Sequence, residues 1–390
     1  MPLDFTPQRL RRITWAVIAG LLIALVADLA VQRPTESILR RGDFPGLYVQ
    51  AEIIKRGQGA ALYNPVLQQQ IENELWPQFE GRFLMSVYPP SVGVALLPLT
   101  LFPLKVAQWL YTVLNLLALV TAVTLVRRSW GLGFSLESIV ALLCFAPCFY
   151  GVLGGQNSGF SALLAAIIMH GLCRSDRGRG QFLVGIAAGL WCFKPQLGLY
   201  AVMLLCAVGA FRALGWAAAV GIGHYLLGAL VVGRQWPWQL LESLRVFSPL
   251  NFSVNLAQQT SLFGASLGSP LMVVRLLAVV ATVCMAFWLV CTLYRRRREP
   301  HPQERISLAF ASIALLVPQT LFYDLSVAAL FLVGLFRVSS WGPFLLLGSG
   351  ICLSWLLTWN RTQIPIPTML LIAIALPCSV LYFIRKRRFA

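Results

Sequence analysis

The chain has 390 residues, 58% of them apolar and only 12% charged, with a mean hydropathy of +0.74. That composition excludes an ordinary soluble domain and fits an integral membrane protein with many spans. The formal charge of +17 would suggest nucleic acid in a soluble protein; here it is expected to mark the cytoplasmic side of a bilayer, with no nucleic-acid partner.

In chain order, the first apolar run, 13–31, is too long and too weakly cleavable for a removed signal peptide and is expected to be the first span. Residues 32–87 form an expected extracytoplasmic loop built as a surface. From Phe44, the residues Leu47, Tyr48, Ala51 and Ile54 follow helical spacing, with Gln50, Lys55 and Arg56 on the other side. Asn64 and Pro65 supply an N-cap and a first-turn proline, and Leu67, Ile71 and Leu75 make a stripe facing Gln68, Gln69, Gln70, Glu72 and Glu74. Two amphipathic helices lying at the interface follow.

The proline-rich stretch 84–104, with Pro89, Pro90, Pro98 and Pro103, is expected to break or re-enter and to make no net crossing, with a full span as the alternative. Longer apolar runs lie at 106–126, 136–154, 157–173, 213–232, 271–294, 306–322, 341–359 and 368–384, and shorter ones at 181–193, 196–211 and 325–337. The expected architecture is all-α, one polytopic membrane domain over 1–390 with roughly 12 crossings. Its parts are 1–31, the loop 32–87, a core 88–232, a Trp-rich extracytoplasmic loop 233–269 and C-terminal helices 270–390. With Arg9, Arg11 and Arg12 inside, alternation also places Arg127, Arg128, Arg212, the Arg295–Arg298 run, Arg337 and the final basic cluster inside. Scarce Lys beside abundant Arg, 4 against 27, fits a GC-rich bacterium and hence an inner membrane.

The same alternation brings Tyr88, Gln156, Asn157, Lys194, Tyr323 and Asp324 to the extracytoplasmic face. Each residue alone has a plain reading. Asp43 stands where an Asp often starts a helix. Lys194 ends a short apolar run before Pro195, so it either snorkels to the headgroups or meets an anion. Asp324 interrupts an apolar stretch and suits an ion pair between helices. His224 suits a hydrogen-bonded structural role, and Gln156 and Asn157 either cap a helix or bind a polar ligand. The cysteines form no CxxC pair and read as small buried hydrophobes. No metal-ligand spacing or phosphate loop stands out, so neither metal nor cofactor is expected.

Taken in order, "GDFPGLYVQA", "ALYNP", "YPP", "FPL…QWLY", "GGQNS", "AAGLWCFKPQ" and "VPQTLFYDLSVAAL" resemble glycosyltransferase family 87, of the GT-C membrane superfamily. Members are polyprenyl-phosphate-mannose-dependent mannosyltransferases and related pentosyltransferases. The resemblance runs from about residue 13 to 337; the loop 233–269 and the last two spans lie apart from it. It implies inverting transfer of a sugar, with mannose the expected one, from a polyprenyl-phosphate donor to a lipid or glycan hydroxyl at the periplasmic face.

The resemblance also implies an aspartate in the first loop near the active centre, and Asp43 holds that position. A carboxylate there can take the proton of the attacking hydroxyl. Cations at that depth would stabilise the departing phosphate; Lys194 is the first candidate, with Arg82 and Lys105 as second choices. Tyr88, Gln156, Asn157, Tyr323 and Asp324 are candidates for the sugar. A transporter or flippase of a lipid-linked sugar would use similar polar residues, yet such proteins usually have two similar halves and no internal repeat is visible here.

The topology is testable with an impermeant thiol reagent applied to intact cells. Gln69→Cys and Gln258→Cys should label from outside and Arg297→Cys should not, and the reverse pattern would invert the scheme.

Overall fold

The computed structural model describes residues 43–77, 83, 85–174 and 177–331. The expected spans 13–31, 341–359 and 368–384, together with Arg41, Arg82 and Arg337, lie outside the described residues.

The first loop opens with α1 (Phe44–Lys55), followed after a short 3-10 turn by α2 (Pro65–Leu75). Asn64 starts α2 as its sequence foretells: Oδ1 accepts from the N–H groups of Val66 and Leu67 at 2.9 and 3.3 Å. The amphipathic expectation for α1 needs correction. Phe44 through Ile53 are all buried, so α1 is a core helix and not one lying on a surface. Inside, Gln50 Nε2 donates to the backbone carbonyls of Ser86 and Tyr88 at 3.4 and 3.2 Å. Gln68 of α2 is equally buried, donating to the carbonyls of Leu62 and Ser86 and accepting from Ser86 N–H. A salt bridge of 2.7 Å between Arg56 and Glu74 ties the two helices at their exposed ends.

Residues 85–89 run extended between these clamps, and α3 (Pro90–Leu96) continues into a 3-10 turn, Leu97–Leu101. Twelve helical residues rise about 18–20 Å, short of the roughly 30 Å hydrocarbon layer, which agrees with a broken segment. Next comes α4 (Leu104–Ser129), long and apolar enough to span.

The run 136–154 divides at Cys144–Phe145 into α5 (Leu136–Leu143) and α6 (Ala146–Leu153), with Pro147 in the first turn of α6. α7 (Ser158–Cys173) leaves α6 at 117° through the Gly154–Gly155 turn. α8 (Arg177–Leu190) ends in a 3-10 turn, Trp191–Phe193, and α9 (Pro195–Val208) resumes after Lys194. α10 (Phe211–Val231) follows, again of spanning length. Residues 233–269 hold more structure than an expected loop: α11 (Trp236–Gln258) and a short α12 (Leu262–Ser266). Then α13 (Met272–Arg295), α14 (Pro302–Leu316), a 3-10 turn at Phe322–Asp324, and α15 (Leu325–Leu330) close the described chain.

Among the described residues three helices are long and apolar enough to cross a membrane, α4, α10 and α13, or four if the bent pair counts as one. The described part is all-helical; Pro and Gly break several of its apolar runs into pieces of 8–16 residues, and three of the expected spans lie outside it. Irregular backbone of this kind is tolerated at membrane depth where protein surrounds it.

Packing follows the small residues. Ala118 and Ala122 of α4 face Ala162, Ala165 and Ala166 of α7, all buried, which lets the two backbones approach closely. α8 lies between α7 and α10, and α14 and α15 complete the main core around Trp191, Phe310 and Phe331. A second cluster joins α1 to α4 through Phe44, Leu47, Tyr48, Ala107 and Tyr111. A third joins α1 and α2 to α11 through Ile53, Ile71, Trp236 and Leu240. The outward faces of α10 and α13 carry Ile222, Leu226, Leu230, Leu276, Val280, Val283 and Phe287, exposed and apolar, as lipid contact requires. His224 bonds Ser91 Oγ at 2.7 Å, the structural role expected of it.

Candidate active site

Four helix starts meet at one place. Asp43 precedes α1, Asn157 precedes α7, Lys194 precedes α9 and Asp324 precedes α15. None of the four side chains caps its own helix by a hydrogen bond. They turn toward one another instead.

Asp43 is half-buried. Its backbone carbonyl takes the Leu47 N–H at 3.1 Å, while its carboxylate accepts from the Tyr88 hydroxyl at 3.4 Å and from the Gln156 amide. The reading of Asp43 as a plain cap is therefore not what the fold uses. Burial pushes its carboxyl above the ordinary carboxylate range; the Gln156 hydrogen bond, the Lys194 charge and the Tyr88 hydroxyl pull it part of the way back, and Asp324 adds a further push upward. Burial, helped by the neighbouring Asp43 charge, also keeps the Tyr88 phenol protonated and so a donor.

Tyr88 owes its position to the clamp on residues 85–89. Besides Gln50, the Tyr63 hydroxyl donates to the Tyr88 carbonyl at 3.0 Å, and Gln68 fixes Ser86 two residues earlier. On the other side, Gly155 has φ +65, and a Cβ there would stand 2.6 Å from Phe44 Cβ. Only glycine lets the 154–157 turn lie against the start of α1. Asn115, in the middle of α4, holds that turn by donating to the Gln156 carbonyl. Asn157 is buried, with its side-chain amide against the Tyr88 hydroxyl.

Lys194 sits before Pro195, which forces it out of helical conformation, with φ −114 and ψ 92. The resulting break turns its side chain inward. Nζ meets Asp324 Oδ1 at 2.6 Å, both residues are buried, and the ammonium lies 5.0 Å from the centre of the Tyr323 ring. Snorkelling is excluded by this geometry, and the ion pair expected of Asp324 is present. The second oxygen of Asp324 accepts from Leu321 N–H at 3.1 Å. The turn ahead of it is held by Thr260, whose N–H and hydroxyl both donate to the Thr320 carbonyl at 3.0 and 3.2 Å.

Asp43, Tyr88, Gln156, Asn157, Lys194, Tyr323 and Asp324 thus share one site, as the sequence order suggested. Lys105 does not join them: it is exposed in the first turn of α4, and among the described residues no interaction of the site reaches it. Arg82 lies outside the described residues. Sequence reasoning missed Gln50, Tyr63, Gln68 and Asn115. A readable signal existed for Asn115, an amide inside a spanning helix; the two glutamines were hidden among exposed polar neighbours. Among the described residues no three metal-ligating side chains gather.

The family model of glycosyltransferase family 87 matches residues 87–322, more than half of the chain. The chain belongs to glycosyltransferase family 87. Comparison with curated proteins and with solved structures found no match. The matched region contains Tyr88, Gln156, Asn157 and Lys194; Asp43 precedes it and Tyr323 and Asp324 follow it directly. The cluster in this membrane glycosyltransferase therefore joins five stretches of chain, at 43, 88, 156–157, 194 and 323–324, that meet only after folding.

The Lys194–Asp324 pair should dominate stability. Removing one partner from a buried pair costs about 3–5 kcal/mol, because the other charge stays buried and unpaired, whereas replacing both by apolar groups is close to neutral. Lys194→Ala and Asp324→Leu should each lower the thermal midpoint of the purified protein in detergent, and Lys194→Met combined with Asp324→Leu should recover most of the loss. Additive losses in the double variant would show that the two charges are not coupled.

Proposed function

We propose that this glycosyltransferase moves a sugar, mannose in the first instance, from a polyprenyl-phosphate donor to an acceptor hydroxyl on the periplasmic side of an inner membrane, with inversion at the anomeric carbon. The observation that carries the reading is a carboxylate free of capping duty, Asp43, held beside a buried ammonium, Lys194, within a family 87 fold.

The chemistry needs both. The acceptor oxygen bonds to the anomeric carbon on the face opposite the phosphate, the bond from that carbon to the phosphate oxygen breaks, and the polyprenyl phosphate leaves. The acceptor proton passes to Asp43, whose raised basicity suits a general base. Negative charge grows on the leaving phosphate and is offset by Lys194. An ammonium has three N–H donors; Asp324 takes one, which leaves others for the donor.

Tyr88, Gln156, Asn157, Tyr323 and Asp324 stand beside these two groups and offer polar atoms to the donor headgroup. The exposed apolar helices suit a donor whose prenyl tail stays in the bilayer.

Asp43→Asn keeps the shape and removes the base, so transfer from a labelled polyprenyl-phosphate sugar should fall by about 10²–10⁴-fold with donor binding little changed. In the unsubstituted enzyme kcat should decline as pH drops through the raised pKa of Asp43. Tyr88→Phe removes a hydrogen bond that favours the carboxylate, so this acid limb should move to higher pH. An Asp43→Asn enzyme of normal turnover would end the assignment.

A further inference from the structure

Asp43 and its hydrogen-bond partner Gln156 stand at two separate helix starts, those of α1 and α7. In neither helix does the N-cap side chain make a capping bond. A bond between two such starts keeps its geometry only if something outside both holds them in register. The spanning helix α4 packs against both and can serve as that frame.

Two residues of α4, one turn apart, face this place: Tyr111 and Asn115. Asn115 serves the α7 side by donating to the Gln156 carbonyl, and α7 comes so close that a Cβ on Gly159 would run into the Asn115 carbonyl oxygen. Tyr111 serves both sides. Its ring centre lies 4.7 Å from that of Phe44, the first residue of α1, and 5.6 Å from that of Phe160, in the first turn of α7, with both pairs tilted. Tyr111 is only 3% exposed, and ring pairs at such separations are worth more than the area they bury. Phe44 is also confined from the opposite direction, because Gly155 lies against its Cβ. One side chain of α4 therefore touches the residue that follows Asp43 and the first turn of the helix that follows Gln156.

We propose that Tyr111 is a positioning residue for sugar transfer: its ring, set between Phe44 and Phe160, fixes the spacing of Asp43 from Gln156 and so the aim of the Asp43 carboxylate. The effect on rate rests on Asp43 being the base, as proposed above; control of the Asp43–Gln156 spacing does not. A small displacement is enough, since about 1 Å of misplacement can cost roughly 10²-fold in rate.

The test uses the purified full-length protein in detergent and two readouts. One is transfer from a labelled polyprenyl-phosphate sugar; the other is titration of the Asp43 carboxyl by difference infrared spectroscopy, with Asp43→Asn identifying the band. Tyr111→Leu should lower kcat by about 10- to 100-fold while the donor KM changes little. The Gln156 bond favours the carboxylate, so loosening it should carry the acid limb of kcat and the Asp43 titration together to higher pH, by roughly one unit. The other titratable groups around Asp43, namely Tyr88, Lys194, Tyr323 and Asp324, are left in place by the substitution.

Tyr111→Phe keeps the ring and should restore most of the turnover lost in Tyr111→Leu. Phe160→Leu removes the α7 half of the contact and should give the same signature more weakly, and the two leucine variants combined should lose less than the product of their separate factors. Phe160→Leu also decides the matter if Tyr111→Leu does not fold. Turnover and carboxyl titration unchanged in the folded leucine variants, or a titration moved to lower pH, overturn the positioning role. Tyr111→Phe as impaired as Tyr111→Leu would overturn it too, by assigning the effect to the hydroxyl. A titration that moves as expected, in a protein whose Asp43→Asn form still turns over, would keep Tyr111 as the positioning residue and overturn Asp43 as the base.

Discussion

A charged ammonium cannot remain inside an apolar helix bundle without an anion, and Lys194 meets that demand through Asp324 at 2.6 Å. The pair links residues 130 positions apart, so it forms only when α9 and the Phe322–Asp324 turn have docked. Both partners stand at helix breaks, Lys194 held extended by Pro195 and Asp324 turned by a 3-10 segment. Continuous helices would have directed these side chains along helix faces. The breaks bring them to one point, and the Tyr323 ring covers the ammonium.

The rest of the site is arranged around that pair by backbone that is irregular and largely packed within protein. The extended 85–89 segment makes no sheet, and its carbonyls are taken by Gln50, Tyr63 and Gln68. The Gly154–Gly155 turn is held by Asn115 from α4 and pressed against Phe44. These polar clamps stand in for the water that a soluble loop would use, and they bring Asp43, Tyr88 and Gln156 together.

The distribution of surfaces agrees with membrane catalysis. α10 and α13 present apolar side chains outward, while the polar groups face inward to one cluster built from helix starts. Family 87 membership gives that arrangement its chemical meaning as a glycosyltransferase.

Composition alone was enough to identify a helical membrane protein, because hydropathy sums over residues irrespective of contacts. The motif order pointed to the family and to Asp43 and Tyr88, and Gln156, Asn157, Lys194, Tyr323 and Asp324 drew notice as polar residues beside apolar runs; the structure brings these seven together. Asn64 was legible because capping acts over three residues. Tertiary structure alone decided how the apolar runs divide into helices, since Pro147 and Gly155 convert hydropathy into bends whose angle depends on what they pack against. It also decided that α1 is a buried helix, that Lys194 pairs and does not snorkel, and that Lys105 stands apart. Gln50 and Gln68 looked like surface residues because local pattern registers polarity; whether an amide faces water or a backbone carbonyl is settled by the segment that docks against it, here residues 85–89.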